Sequence, residues 1–189
     1  TASMCGIEAA GFEGNAEAME VAVRKDLMLH AYMFTQSGLP IIYSGDEVGQ
    51  VNDYAYKNDP ERAGDSRYVH RGRFDWSLVD QVGEKGSVAA QIFGALSRLE
   101  AVRRGDELFD ADAQAHVVDY GDQAILWIVR RAGGRELSAV FNFSDGEKHL
   151  WMPGEDEYVD LVSGESSRFQ EFDLAAWDFR WWVRRVPDA

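Results

Sequence analysis

The chain of 189 residues carries 33 Asp plus Glu against 19 Lys plus Arg, a formal charge of −14. That charge argues against a general nucleic-acid binder, because phosphate contacts are made mainly by clustered Lys and Arg, and no basic stripe interrupts the acidic background. The 46% apolar and 12% aromatic content is spread along the chain, enough to bury a core and to argue against intrinsic disorder.

Length favours one ordinary domain or two small ones and falls short of the roughly 250 residues of a complete eight-stranded α/β barrel. No apolar run approaches the roughly 20 residues that span a bilayer, and Arg24, Lys25 and Asp26 break the first candidate. The opening TASMCGIEAAGFEG lacks a basic leader followed by an apolar stretch, so the expectation is a soluble, cytoplasmic chain. The single cysteine, Cys5, forms no internal disulfide and has no His or Lys beside it in sequence to activate its thiol.

In chain order, Val23, Leu27, Ala31 and Phe34 recur at helical spacing within about Ala16 to Ser37, with Asn15 as N-cap and Ser37-Gly38 as the stop before Pro40. Leu39 to Tyr43 is a short apolar run between turn signals, which predicts a strand buried on both faces. From Ser44 to about Gly86 the chain is rich in Asp, Asn, Gly and Arg, and a loop of that length in a compact domain is usually functional or disordered. Tyr54, Tyr56, Tyr68, Phe74 and Trp76 favour order. A second helix is predicted from about Ser87 to Arg104, on the stripe of Val88, Ile92, Leu99 and Val102.

Beyond Gly105 the apolar period changes from 3.6 to 2. Ile125, Trp127 and Val129 alternate with their neighbours, as do Leu137, Ala139, Phe141 and Phe143, and Gly133-Gly134 between the runs signals a hairpin. Further short strands are predicted around His149 to Met152, Tyr158 to Val162, Arg168 to Phe172 and Phe179 to Val186, with turns at Pro153-Gly154 and Ser163-Gly164. Such spacing predicts an antiparallel sandwich or barrel. A single parallel-type strand lacks the crossover neighbours that would satisfy its backbone. The overall expectation is therefore an α+β chain: residues 1–108 as the tail of a larger α/β domain, then a β-sandwich over residues 109–189.

Candidate chemistry is concentrated in the long loop. Asp46 and Glu47 lie just after the predicted strand, where α/β folds place functional loops, and can act in catalysis, bind a ligand or cap a neighbouring element. As adjacent residues they make a poor acid and base pair. Asn52-Asp53 follows, then Asp65-Ser66-Arg67-Tyr68-Val69-His70-Arg71; an arginine among acids either pins the loop or offers its forked donors to a ligand. His30, His70, His116 and His149 show no metal-ligand spacing, and no phosphate loop or nucleophile elbow occurs. Alternation places most of the tryptophans of the β region in a core, and Trp182 is the one among them with the best claim to exposure.

The run Gly38-Leu39-Pro40-Ile41-Ile42-Tyr43-Ser44-Gly45-Asp46-Glu47-Val48-Gly49 resembles the motif G-x-P-x-I-Y-x-G-x-E that opens the eighth β/α unit of the (β/α)8 TIM barrel in the α-amylase superfamily of glycoside hydrolases. Asn52-Asp53 with the run from Asp65 to Phe74 is similar to the amylosucrases, whose corresponding loop reads N-D and then D-S-R-W-x-H-R-x-R-Y. The resemblance is strong over residues 38–76 and loose after 110.

That resemblance implies the end of a catalytic barrel closed by the second helix, followed by a C-terminal β-sandwich. It implies that Arg67 pairs with an upstream aspartate and closes the floor of the pocket holding the glucosyl ring. Asp65 and His70 would position that loop, and Asp46, Glu47, Asn52, Asp53 and Arg71 would support it. The implied reaction is retaining glucosyl transfer from sucrose to an α-glucan with fructose release, using no metal or organic cofactor; a sucrose hydrolase or α-glucosidase is the alternative acceptor choice. A retaining mechanism needs two carboxyl groups about 5 Å apart, and the motifs that carry them do not occur in this chain, which is expected to be inactive alone and to need the missing N-terminal barrel portion. A different class, a non-catalytic carbohydrate-binding or interaction module centred on Trp182, is the second expectation. An unpaired apolar face at Leu39 to Tyr43 would also favour self-association; neither nucleic acid nor membrane is an expected partner.

Overall fold

The computed structural model describes residues 1–186, with the side chains of Pro153 and Glu155 excepted. Five helices, α1 (Ala2–Cys5), α2 (Ile7–Glu13), α3 (Ala16–Thr35), α4 (Trp76–Gln81) and α5 (Val88–Gly105), precede six strands. The strands are β1 (Gln114–Val118), β2 (Ile125–Ala132), β3 (Arg135–Asn142), β4 (Lys148–Asp160), β5 (Ser166–Leu174) and β6 (Phe179–Arg185). The chain divides into two compact units, Thr1–Leu27 with Ile41–Leu96, and Met28–Pro40 with the chain from Ser97 onward. Both long helices contribute to each unit.

Helix α3 begins as its sequence dictates: the Asn15 side chain accepts the Ala18 N–H at 3.0 Å, capping a free donor of the first turn. Helix α5 starts in the same way, with Ser87 Oγ accepting the Ala90 N–H at 3.0 Å. In the first unit, Cys5, Ile7, Ala10, Ala22, Val23, Val48, Ile92 and Leu96 are buried. The short helices α1, α2 and α4 hold too few turns to display a helical period, and composition alone does not announce them.

Leu39 to Tyr43, expected as a buried strand, pairs with no strand among the described residues, and Leu39, Ile41 and Tyr43 are 93%, 83% and 56% exposed. The expectation fails because a parallel strand gains its order from neighbours on both sides, and the described chain supplies neither.

The second unit is built on one antiparallel sheet of order β1-β2-β3-β6-β4-β5. Two glycines, Gly133 and Gly134, both with positive φ (54° and 66°), make the two-residue turn between β2 and β3, in register Ala132 to Arg135. The sheet curls at β4, whose ladder with β6 pairs Val159 with Val183 and Asp160 with Trp182. Pro153-Gly154 does not separate two strands as expected; it lies in a register irregularity between Trp151 and Asp156 within β4, because a bulge absorbs extra residues without ending the ladder. The result is a single curled sheet in place of the expected sandwich of two.

Both faces of the sheet are covered along β2 and β3. One core gathers Trp127, Val129, Val140, Leu150, Tyr158, Leu174 and Trp182, with Phe169 and Phe172 against it. On the opposite face Phe141 meets Tyr32 of α3 edge-on at 6.0 Å, and Trp181 packs on Phe109 at 5.1 Å. Trp182 is thus 8% exposed, contrary to expectation. Consecutive Trp181 and Trp182 point to opposite faces, and the β4 and β5 strands close over the second of them.

Arginines stitch the end of α3 into this unit. Arg103 donates to the carbonyls of Phe34, Gln36 (3.1 Å) and Gly38 (2.6 Å), so it serves the end of α3 and not, as its place in α5 suggests, its own helix. Arg130 is fully buried and donates to the carbonyls of Leu108, Asp110 and Thr35 at 2.6, 2.9 and 3.0 Å.

Candidate functional site

The loop from Ser44 to Asp75 is ordered by short local turns and a few long-range bonds. Its first turn, Asp46–Val48, lies between Gly45 and Gly49, both with positive φ. Asp46 accepts the Thr1 hydroxyl and the Thr1 backbone nitrogen, each at 3.0 Å. Glu47 folds back to accept the Gly45 N–H at 2.7 Å. Neither carboxylate bonds to the run from Asp65 to Arg71: Glu47 serves its own turn, and Asp46 ties that turn to Thr1.

The two arms of the loop are tied together. The Asp53 N–H donates to the Val69 carbonyl at 2.7 Å, bringing Asn52-Asp53 beside His70-Arg71. The Asn52 N–H is fixed by Ser3 Oγ at 2.8 Å, and the Asp53 carboxylate accepts the Ala55 N–H at 2.8 Å. Gly72 permits this approach: a Cβ there would lie 2.6 Å from the Asp53 Cβ, well inside contact distance. Gln50 completes the bracing, donating to the Arg73 carbonyl and accepting the Asp75 N–H, each at 2.9 Å. Sequence reasoning missed Gln50 and Ser3, since an amide or hydroxyl that braces a loop carries no signature beyond its place near glycines.

At the far end of the loop, Asp65 caps the turn Ser66–His70 by accepting the Arg67 N–H at 3.0 Å. The same carboxylate grips the Arg67 side chain in a fork, with Nε at 2.8 Å from one oxygen and Nη2 at 2.7 Å from the other. These bonds, with help from the nearby Arg71 charge, hold the Asp65 carboxyl down at about 2, while the pairing raises the Arg67 guanidinium above its already high value. The Arg67 side chain remains 69% exposed, so its remaining donors face solvent. His70 and Arg71 are exposed beside it. The resemblance implies an upstream aspartate as the partner of Arg67; within this chain that partner is Asp65.

Two concavities flank the loop within the first unit. One of about 710 Å³ is lined by Gln50, Asn52, Asp53 and Arg73 with apolar Ile7, Val48 and Phe74. The other, about 510 Å³, sets Glu47 among Trp76, Val79 and Phe93. Trp76 is 74% exposed and edge-on to Phe74 at 4.9 Å. Polar groups at the edge of apolar walls suit a ligand with both apolar faces and hydroxyls. Asp65, held ionised, is an acceptor of hydrogen bonds and not a proton donor near neutrality.

Elsewhere the Cys5 thiol is buried, and that burial, reinforced by the Asp26 charge, pushes it up to about 11, away from nucleophilic reactivity. No group of three or more His, Cys, Asp or Glu among the described residues is placed to hold a metal ion. No described helix is long and apolar enough to cross a membrane.

Comparison with known proteins gives these observations a context, although no family model matches the chain. Over 157 residues, 82% of the chain, it is 26% identical to the glucosylglycerate phosphorylase of Escherichia coli K12, covering 27% of that protein. Over 62% of the chain it is 28% identical to the 1,4-alpha-glucan branching enzyme GlgB of Nitratidesulfovibrio vulgaris, covering 16% of it. Among solved structures, AmyP in complex with maltose superposes on 89% of the chain with a TM-score of 0.69 at 14% identity. The trehalulose synthase MutB from Pseudomonas mesoacidophila superposes on 85% with a TM-score of 0.67 at 15% identity. The chain spans 36% of AmyP and 38% of MutB, and so well under half of each relative. In fold the chain, with its curled antiparallel sheet, is similar to the corresponding parts of AmyP and MutB.

Proposed function

We propose that this chain is the C-terminal portion of an amylosucrase-like retaining enzyme of the α-amylase superfamily, with residues 1–108 ending its (β/α)8 barrel and residues from 109 forming its C-terminal β domain. The observation that carries the reading is the forked Asp65–Arg67 pair, presented at the end of a braced loop that follows the Gly38 to Gly49 run. An arginine held rigid by a carboxylate makes a polar wall that blocks longer chains and offers donors to sugar hydroxyls. In the intact enzyme Arg67 closes the pocket floor, Asp65 fixes it, and His70 lies beside it. Asn52, Asp53 and Arg71 support the loop, and Asp46 and Glu47 hold its base. The relatives support a glucosyl substrate: they are named for glucosylglycerate or 1,4-alpha-glucan, or were solved with maltose.

The reaction needs a nucleophilic carboxylate and an acid/base carboxyl flanking the bond, and these come from sequence preceding Thr1. The sugar C1–O bond breaks as the nucleophile attacks and the acid protonates the departing fructose; an acceptor hydroxyl then displaces the enzyme carboxylate from C1 and gives its proton back to the acid/base residue. The exposure of Leu39, Ile41 and Tyr43 fits a strand that is completed by that missing portion. The chain alone is inactive. A sucrose hydrolase or α-glucosidase differs only in taking water as acceptor.

The test is to supply sucrose to the longer protein, with and without a maltooligosaccharide acceptor or inorganic phosphate, and to identify products. Fructose with lengthened glucan is expected. Free glucose assigns a hydrolase, glucose 1-phosphate assigns a phosphorylase, and failure to cleave sucrose under any of these conditions overturns the sucrose reading.

A further inference from the structure

We infer that the outer surface of β4 and β5, around Trp151, is a carbohydrate-binding site that takes a neutral glucan chain. In this unit Trp127, Trp181 and Trp182 are 3%, 0% and 8% exposed and Trp177 is half-buried, whereas Trp151 is 57% exposed on the strand that covers the core. A large aromatic left in water on a rigid strand is the unusual feature, since burial of an indole is among the larger gains a fold can make.

Its setting is built. Trp151 and His149 share the outer face of β4, and the rings meet edge-on at 6.2 Å. Across the ladder, Asp173 stands opposite His149 and Glu171 opposite Trp151. His149 Nδ1 lies 2.7 Å from Asp173 and Nε2 3.2 Å from Glu171, so the imidazole is fixed through both nitrogens. The strand itself is anchored at this point, because the Trp151 N–H donates to the Tyr120 hydroxyl at 2.9 Å. An apolar plate therefore lies beside a fixed row of hydrogen-bonding groups on a curved ribbon.

The chemistry of that row selects the ligand. Two carboxylates around one imidazole leave the patch acidic whether or not the ring is protonated, within a chain of net charge −14, which disfavours phosphates and nucleic acids. A protein partner seeks a wider apolar centre than one indole ringed by charges. A pyranose meets both demands: its C–H face lies on the indole while its hydroxyls donate to the free lone pairs of Glu171 and Asp173. The site uses none of the loop residues from Asp46 to Arg71, so its success or failure is independent of the catalytic reading.

The experiment titrates the full chain with maltoheptaose, and separately with cellohexaose and a polyphosphate, following indole fluorescence and calorimetry. Saturable binding of maltoheptaose is expected, weakened about tenfold or more in Trp151→Ala and restored in part by Trp151→Tyr, with unchanged thermal unfolding. Glu171→Gln is expected to weaken binding less. Binding that survives Trp151→Ala overturns the proposal, as do saturable binding of polyphosphate alone and absence of binding at millimolar maltoheptaose.

Discussion

Arg130, fully buried in β2, donates its guanidinium to the carbonyl of Thr35, the last residue of α3, at 3.0 Å. All its partners at the shortest distances are backbone carbonyls, and burial lowers its pKa accordingly. The charge is retained because it satisfies backbone carbonyls at a helix end and in the 106–110 turn.

Arg130→Ala is therefore expected to cost about 3–5 kcal/mol, since it strands several buried carbonyls and leaves a cavity. Denaturant unfolding monitored by tryptophan fluorescence measures it. A loss below 1 kcal/mol would mean that water replaces the guanidinium.

The tryptophans separate by burial. Trp182→Ala is expected to destabilise the chain by about 3–5 kcal/mol, because the ring sits among Phe169, Phe172 and Tyr158. Trp151→Ala is expected to fall within about 0.5 kcal/mol of the parent. Parallel thermal or denaturant melts decide this; equal losses would contradict the described strand orientation.

These residues also show what the sequence can and cannot reveal. The long helices were legible because Val23, Ala31 and Phe34, or Ile92 and Leu99, repeat the turn of a helix, and the β2–β3 turn because Gly133-Gly134 admits positive φ. The exposed indole was misplaced from Trp151 to Trp182 because alternation tells which residues share a face, not which distant strands will cover it. Leu39 to Tyr43 reads as buried because its composition is that of a strand with neighbours on both sides, yet no described strand pairs with it. Within the site, the acids and Arg67 stood out by residue type, whereas Gln50 and Ser3 act only through loop geometry.

His149 is expected to titrate above its ordinary value because Asp173, and then Glu171, bind its protonated form. Its folded pKa is raised, so the ion pairs stabilise the fold below the unfolded pKa and are lost as pH rises through the folded one. Imidazole proton NMR checks the shift. Asp173→Asn is expected to bring it downward; an unchanged midpoint would show that the cross-strand pair is not formed.

Asp65 carries the opposite sign. With its carboxyl held at about 2, its pairing with Arg67 stabilises the loop above the unfolded carboxylate range and is lost as pH falls through about 2. Carboxyl-carbon NMR of the folded chain is expected to show an Asp65 midpoint near that value, moving up toward the ordinary range in Arg67→Ala. A normal midpoint in the parent would remove the rigid fork.

The central claim is that Arg67, fixed by Asp65, forms the floor of a glucosyl pocket. The most direct measurement is kcat/KM for fructose release from sucrose by the longer enzyme and its Arg67→Ala and Arg67→Lys variants. The account predicts a fall of about a hundredfold in Arg67→Ala with little rescue by lysine, which lacks the forked donors. Sucrose turnover in Arg67→Ala at the parent rate would contradict it.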